Sequence, residues 1–422
     1  MRDYVFTVDK KNSLIIGYVS PGWPLCDFPN GIVAYIQNIL YGLDDKIKPV
    51  ILAQTMLDSE PKNDVINLSN FTTTRGALEN ILDKIIYGIK LPYLRSTQYQ
   101  RWITYVAKNI SIAIEQLDSP LSILEMEESF GTVHFLMRIT KVPVVTRLHG
   151  PWFLIGPILN AQNNWDFKLR VFYEKKAIEN AHGVTSPSLD VLEKVRAYYG
   201  LALPHAKVIP NPVPEVSVEN QWQFEAHKKP SILFVGRFDS VKGADLMLLA
   251  FRIIALKNKA TELIFAGPDR GLMIDDEHFN FNEYIARFIP ENAIKKRIRF
   301  LGHCDQLLVS NLRKEALVTV VCSRYESFSI SLLEALSAGC PTVATAVGGM
   351  KEIIIDDYNG LFACPESPKS IAEKVLTLID DPDKMQLLSK NAMADCKKRF
   401  SPEVVASQTI DYYKFVLAKS AS

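Results

Sequence analysis

The chain has little of what marks the specialised protein classes. It carries 48 Lys and Arg against 47 Asp and Glu, a formal net charge of +1. No excess of one sign draws it as a whole to nucleic acid or to an anionic membrane, so an anion has to be held by a local site. Its six cysteines (Cys26, Cys304, Cys322, Cys340, Cys364 and Cys396) are scattered without one C-x-x-C pair. That excludes a disulfide framework, and thiols in apolar runs, such as Cys322 after Leu317–Val321, read as reduced and buried. No run approaches the roughly 20 apolar residues that span a bilayer. Met1 to Lys11 offers no signal-peptide core, so a cytoplasmic protein is expected and the Asn-x-Ser/Thr sequons at Asn67, Asn70 and Asn109 are chance matches. What remains, with 48% hydrophobic and 23% charged residues over 422 positions, is a large globular chain. That length suits about two to three domains, each able to bury a core without metal or disulfide staples.

Short Val/Ile/Leu-rich runs alternate with longer helical stretches. Leu14–Ser20, Pro49–Gln54, Leu121–Met126, Val142–Leu148 and Gly183–Ser186 read as buried parallel strands. Between them lie helical candidates at Gly31–Leu43, in the long region Ala77–Gln116, where two helices are expected, and at Phe167–Ala181. The pattern weakens at Pro210-Asn211-Pro212-Val213-Pro214 and the polar residues after it, where proline fixes φ and removes donors. A second series starts at Ser231, with strands expected at Ile232–Val235, Leu263–Ala266, Arg297–Leu301, Val318–Cys322 and Thr342–Ala346. Helices are expected at Ala244–Leu256, Phe281–Phe288, Asp305–Lys314, Ser329–Ala338 and Ser367–Ile379. The reading is an α/β chain of two doubly wound, Rossmann-like domains facing across a cleft. Residues 1–213 form the first domain, 214–230 a linker and 231–400 the second domain. Residues 401–422 form a C-terminal helix that crosses back to the first domain.

The informative stretch is Val318–Glu352. A strand ends at Ser323-Arg324-Tyr325-Glu326-Ser327-Phe328, and a helix then runs to the stop Gly339-Cys340-Pro341. Eight residues on one helix would leave Glu326 and Glu334 about 80° apart. With Glu326 on the loop and Glu334 within the helix, both can instead face a ligand over the helix N-terminus. Helix N–H groups there suit a phosphate, and carboxylates grip vicinal hydroxyls. The loop Gly236-Arg237-Phe238-Asp239-Ser240-Val241-Lys242-Gly243 follows a strand and lacks the spacing of a Walker loop. It sets a guanidinium fork and an ammonium on one turn, which suits a diphosphate. Taken singly, the loop reads equally well as a solvated basic turn, and Glu326 and Glu334 read better as a loop acid and a helix-surface acid.

Taken together they resemble a known family. Gly236-Arg237…Lys242-Gly243, Phe300-Leu301-Gly302, Glu326-Ser-Phe-Ser…Leu333-Glu334-Ala335…Gly339-Cys-Pro341 and Val347-Gly348-Gly349…Glu352 occur in the order and spacing of one pattern. It is that of the nucleotide-sugar-binding half of the retaining group 1 (family four) glycosyltransferases of the GT-B fold. The first half of the chain is similar more loosely, through the Pro21–Gly31 loop, His149-Gly150 and Val184-Thr185-Ser186. The resemblance implies that Arg237 and Lys242 clamp the donor diphosphate, that Glu334 binds ribose hydroxyls and that Glu326 binds hydroxyls of the transferred sugar. Backbone around Arg299, Leu301 and Gly302 would read the base, and Phe328 and Ser329 would give N–H groups to the phosphates. Gly267 matches a family loop, and His149 matches a histidine near the sugar and leaving phosphate. Where the family carries Gly-Gly after its first strand, this chain has Asn30-Gly31; Gly31 is expected to bind the donor, and Asn tolerates left-handed backbone better than most residues.

The implied activity is retaining transfer of a sugar from a nucleotide diphosphate sugar, UDP- or GDP-linked, to a hydroxyl acceptor, in glycan biosynthesis. No metal and no further cofactor are expected. Asp381-Pro382-Asp383, formally a metal motif of a different glycosyltransferase fold, reads as a helix cap. The alternatives are a sugar phosphorylase or epimerase on the same scaffold, or a non-catalytic nucleotide-sugar-binding subunit. The acceptor is a glycan, a lipid-linked or a small molecule, and nucleic acid is not a partner. Arg95, Arg101 and Lys108 with Tyr93, Tyr99 and Trp102 suggest a basic-aromatic face for peripheral membrane contact, or a solvated helix face with its aromatics packed inward.

Overall fold

The computed structural model describes residues 14–57, 64–71, 92–162, 164–224 and 230–421, with side chains from residue 96 in the helix that opens at Pro92. The chain forms two compact units. One comprises residues up to Pro210 together with those from Pro402 onward, and the other is Asn211–Ser401.

The first unit holds β1 (Leu14–Ser20), β2 (Ile47–Ala53), β3 (Val65–Asn67), β4 (Ile123–Glu127), β5 (Val144–Arg147), β6 (Gly183–Ser186) and β7 (Lys207–Val208). They form one sheet in the order β3-β2-β1-β4-β5-β6-β7, each pair parallel. Strands covered on both faces need apolar residues at every position, which is why β1 reads as an unbroken run. Its Ile16 and Tyr18 pack on one face with Tyr35 and Ile39 of the helix Gly31–Leu40, and Val19 packs on the other with Ala107 and Ile110 of the helix Pro92–Glu115. The helix Pro402–Ala421 belongs to this unit. Tyr413 Oη donates to Glu125 at 2.8 Å, and Tyr412 Oη accepts from Val184 N–H and donates to the His205 carbonyl, each at 2.9 Å.

The second unit holds β8 (Ser231–Val235), β9 (Glu262–Ala266), β10 (Leu272–Ile274), β11 (Glu277–Phe279), β12 (Ile298–Gly302), β13 (Val318–Val321), β14 (Thr342–Thr345) and β15 (Leu361–Ala363). Six of them make a parallel sheet in the order β12-β9-β8-β13-β14-β15, and β10 and β11 pair as an antiparallel hairpin. Residues 214–224, expected as linker, lie in this unit. The buried Trp222 donates its ring N–H to the Ala316 carbonyl and its backbone N–H to the Ala338 carbonyl, both at 2.8 Å.

In each sheet the strand order reverses beside its first strand, between β1 and β4 and between β8 and β13. Such a switch point opens a crevice at the carboxyl ends of the strands, where ligands of open α/β sheets sit. In the second unit the two loops that leave it are 236–243 and 322–329. No helix among the described residues is long and apolar enough to cross a membrane.

Candidate active site

The loop after β8 closes on its own aspartate. Asp239, only 8% exposed, accepts from the Lys242 backbone N–H at 2.8 Å and from Arg237 Nε at 2.5 Å. Gly243 follows at φ +66°, and a Cβ there would collide with the Cys322 carbonyl. Only glycine lets the helix Ala244–Lys257 begin so close to the end of β13. Arg324 fastens the loop after β13 to the same corner. Its backbone N–H reaches the Val241 carbonyl at 2.9 Å, and its guanidinium holds Asp245 by two bonds of 2.8 and 2.7 Å.

This stitching brings Lys242 Nζ to Glu326 Oε1 at 2.5 Å, while the Ser323 hydroxyl donates to the same oxygen at 2.7 Å. The Glu326 carbonyl accepts from Gly349 N–H at 2.9 Å, and Gly348, at φ +49°, passes so near it that a side chain there would collide. Val347-Gly348-Gly349 therefore sets the backbone that carries Glu326. The helix Ile330–Ser337 starts at Ser329, whose hydroxyl accepts from Leu332 N–H at 3.4 Å. Phe328 turns its ring into the core, 5.7 Å from that of Phe400, so only its backbone is available for a ligand. Glu334, in the second turn, pairs with the buried Arg313 at 2.6 Å.

Of the other expected residues of this unit, Gly267 and Gly302 lie at the same end of the sheet. Gly267, after β9, donates its N–H to the Gly302 carbonyl at 2.7 Å, and a Cβ on it would meet the Gly236 carbonyl. Gly302 has φ +67° with open space beside it. Arg299 is exposed on the edge strand β12, and Leu301 is half-buried there. Asp381 caps the helix Pro382–Phe400, accepting from Lys384 N–H at 2.9 Å.

In the first unit, Asn30 does not take up left-handed backbone. Its φ is −142°, and its side chain caps the helix Gly31–Leu40 by accepting from Ile32 N–H at 2.7 Å. The polar side chain serves as a cap, which needs extended backbone. Gly31 has open space where a Cβ would stand, so neither strain nor crowding demands glycine.

His149 follows β5, with its ring edge-on to Tyr35 at 5.2 Å between centroids. Tyr35 in turn lies under the Arg147 guanidinium, 3.9 Å from the ring centre. Burial first, and then the charge of Arg147, push the His149 imidazole well below the usual histidine range, which leaves it neutral at pH 7. Of the basic-aromatic group, Tyr99 packs inward, stacked on Tyr173 and bonded through its hydroxyl to the Phe130 carbonyl at 3.0 Å. Trp102 leans on Phe130 and is about a third exposed, and Arg101 and Lys108 are exposed. The side chains of Tyr93 and Arg95 lie outside the described residues.

Asp239, Arg313, Ser323 and Arg324, which hold the motif residues and their loops, were not among the expected site residues. Asp239 alone had a local signal, an aspartate three residues before Lys242 in a tight turn.

A pair of parallel α/β sheets with these loops at a switch point is the build of a GT-B glycosyltransferase. Sucrose-phosphate synthase from Thermosynechococcus elongatus superposes with a TM-score of 0.71 at 17% identity, over 96% of this chain and 100% of that one. HepE from Anabaena, solved in complex with UDP-glucose, superposes with a TM-score of 0.63 at 16% identity, over 95% of this chain and 100% of that one. At such identity the likeness is one of fold.

Residues 218–395 match the family described as glycosyl transferases group 1, and residues 29–215 match the one described as glycosyltransferase family 4. The chain belongs to the group 1 glycosyltransferases, and it is an enzyme of glycosyl transfer. An uncharacterized glycosyltransferase of Methanocaldococcus jannaschii is 24% identical to it over 354 residues, which is 79% of this chain and 86% of the relative.

Proposed function

We propose that the enzyme transfers a sugar from a nucleotide diphosphate sugar to a hydroxyl acceptor with retention of configuration, and that it needs no metal. The observation that carries this reading is the joining of Lys242 to Glu326 at 2.5 Å across the switch point of the second unit. It puts a cation for a phosphate beside an acceptor for sugar hydroxyls. Lys242 keeps two further ammonium hydrogens, and Arg237 uses only its Nε on Asp239, so both retain donors for a diphosphate. With the N–H groups of Phe328 and Ser329, these donors neutralise the charge that develops on the departing diphosphate, the work a metal does elsewhere. Glu334, oriented by Arg313, suits a ribose diol, and the backbone at Arg299–Gly302 suits the base.

No carboxylate stands out in the sequence as a covalent nucleophile, and the family resemblance favours front-face substitution with the leaving phosphate assisting deprotonation of the acceptor. From the first unit, the neutral His149 offers one donor and one acceptor to a substrate hydroxyl. Because HepE was solved with UDP-glucose, uridine is the first base to try. Thermal shift with UDP, GDP, ADP and TDP, with and without sugars, tests the donor. A nucleotide at about 100 times its Kd stabilises the folded enzyme by roughly 2.7 kcal/mol. A folded enzyme that responds to none of them overturns the donor assignment. Turnover in excess EDTA tests metal independence, and a strict divalent requirement overturns it.

A further inference from the structure

The turn that carries His149 has three backbone N–H groups, at His149, Gly150 and Trp152, because Pro151 has none. Glu128 Oε2 accepts from His149 N–H at 2.9 Å, and its Oε1 accepts from Gly150 N–H at 2.8 Å. Glu174 Oε2 accepts from Trp152 N–H at 2.7 Å, and its Oε1 takes Arg170 Nε at 2.8 Å. Every amide of the turn is therefore held by a carboxylate, and both acids are 0% exposed. Glu128 comes directly after β4, the neighbour of β5, and Glu174 comes from the helix Trp165–Asn180.

Burying a carboxylate to satisfy backbone amides is costly, since water or a hydroxyl would satisfy them without a desolvated charge. Consecutive N–H groups at such a turn also form a nest that takes up anions. Two internal acids fill it here.

We infer that Glu128 is a positioning residue for His149. By occupying the amides on both sides of the His149 carbonyl it fixes the backbone from which the imidazole projects, with Glu174 holding the far end of the turn. The turn then presents an oriented ring to substrate, and its backbone donors are closed to substrate anions. This inference rests on the reading of His149 as a group that contacts substrate.

The test uses the full chain and a double-mutant cycle. The donor is whichever of UDP-, GDP-, ADP- and TDP-glucose gives the largest thermal stabilisation, and the readouts are kcat, KM and the Kd of the matching nucleoside diphosphate. In Glu128→Gln one of the two acceptors becomes an NH2, so one clamped amide loses its partner. We expect His149→Ala to lower kcat by about a hundredfold and Glu128→Gln by about tenfold, with nucleoside diphosphate Kd unchanged in both. The double variant should be no slower than His149→Ala alone within about threefold, because a lost ring needs no positioning.

A Glu128→Gln effect that multiplies onto His149→Ala overturns the inference, as does full turnover in folded Glu128→Gln beside a crippled His149→Ala. In that last case the role of His149 survives. A His149→Ala enzyme with normal turnover removes His149 from the site and the inference with it, and turnover of none of the four donors does the same. Should Glu128→Gln not fold, Glu174→Gln loosens the other end of the turn and has to show the same non-additivity.

Discussion

Lys242 and Glu326 stand 84 positions apart in the sequence, and their charged ends stand 2.5 Å apart in the fold. Each holds the other in place without being used up. Glu326 spends one oxygen on Lys242 and Ser323, and its second oxygen has no partner among the described residues. The pair is a preoriented donor and acceptor, which is what a ligand with a phosphate next to a polyol requires.

Replacing Lys242 with Ala should therefore cost far more in catalysis than in folding. Loss of one transition-state donor lowers kcat/KM by on the order of 10²–10³. Loss of a partly exposed charged hydrogen bond lowers stability by about 1–2 kcal/mol. Steady-state kinetics and urea unfolding on the same preparation separate the two, and Glu326→Ala should behave likewise. Parallel losses in both measurements would make the pair a structural bridge.

The glycines divide by what surrounds them. Gly267→Ala forces a side chain into the Gly236 carbonyl at φ +151°, and Gly243→Ala forces one into the Cys322 carbonyl at φ +66°. Each should destabilise the second unit by at least about 1–3 kcal/mol. Gly31→Ala meets open space at the first turn of a helix and should be neutral or stabilise by about 0.4–1 kcal/mol. Chemical unfolding of the three variants checks the order, and a destabilised Gly31→Ala contradicts it.

Glu127 sets a pH dependence on the first unit. Burial, reinforced by the Glu128 charge, pushes its carboxyl from an ordinary 4.5 up to about 7. The folded state keeps a proton that the unfolded chain releases, so the contribution is full below about 4.5 and is lost as pH rises through about 7. Glu127→Gln keeps the neutral form at every pH. The stability difference between wild type and variant should slope by up to about 1.4 kcal/mol per pH unit within that window. Urea unfolding at pH 5, 6, 7 and 8 reads it directly, and a difference that does not change with pH rules it out.

Tyr413 ties the helix Pro402–Ala421 to the sheet through the buried Glu125 carboxylate. Tyr413→Phe leaves that acid short of a donor and should destabilise the first unit by about 1–3 kcal/mol. The second unit does not contain either residue, so binding of a nucleoside diphosphate there should persist at unchanged Kd. Calorimetric titration would expose the opposite result.

What was legible in the sequence was whatever repeated locally. The longer strands could be read because burial on both faces forces every residue to be apolar, as in β1 and β8. β3, β7 and β15 are two or three residues long, too short to carry a period, and only their neighbours define them. The helix Leu189–Tyr199 lay outside the expected set although Ser188 caps it and Gly200 ends it in left-handed backbone. Trp222 was hidden in a polar stretch because its burial depends on carbonyls at Ala316 and Ala338, remote in sequence. The site divides in the same way. Arg237, Lys242, Glu326 and Glu334 stand in a recurring pattern of spacing. Their partners Arg313 and Ser323, and Arg324 that joins the loops, are set by distances across the fold, and nothing in a linear pattern marks them. Glu128 was invisible for a further reason, since one acid among three in Glu125–Glu128 gives no sign of which amides it will meet.

The first unit is discontinuous, its sheet built from residues before Pro210 and one of its covering helices supplied from Pro402 onward. A chain leaves the ribosome in order, and domains made first are usually finished first. Here the order inverts: every residue of the second unit has been synthesised before the first can bury Tyr35, Ile36 and Ile39 against Val405, Ile410 and Tyr413. During translation the apolar face that will receive that helix waits uncovered until Pro402–Ala421 has been made.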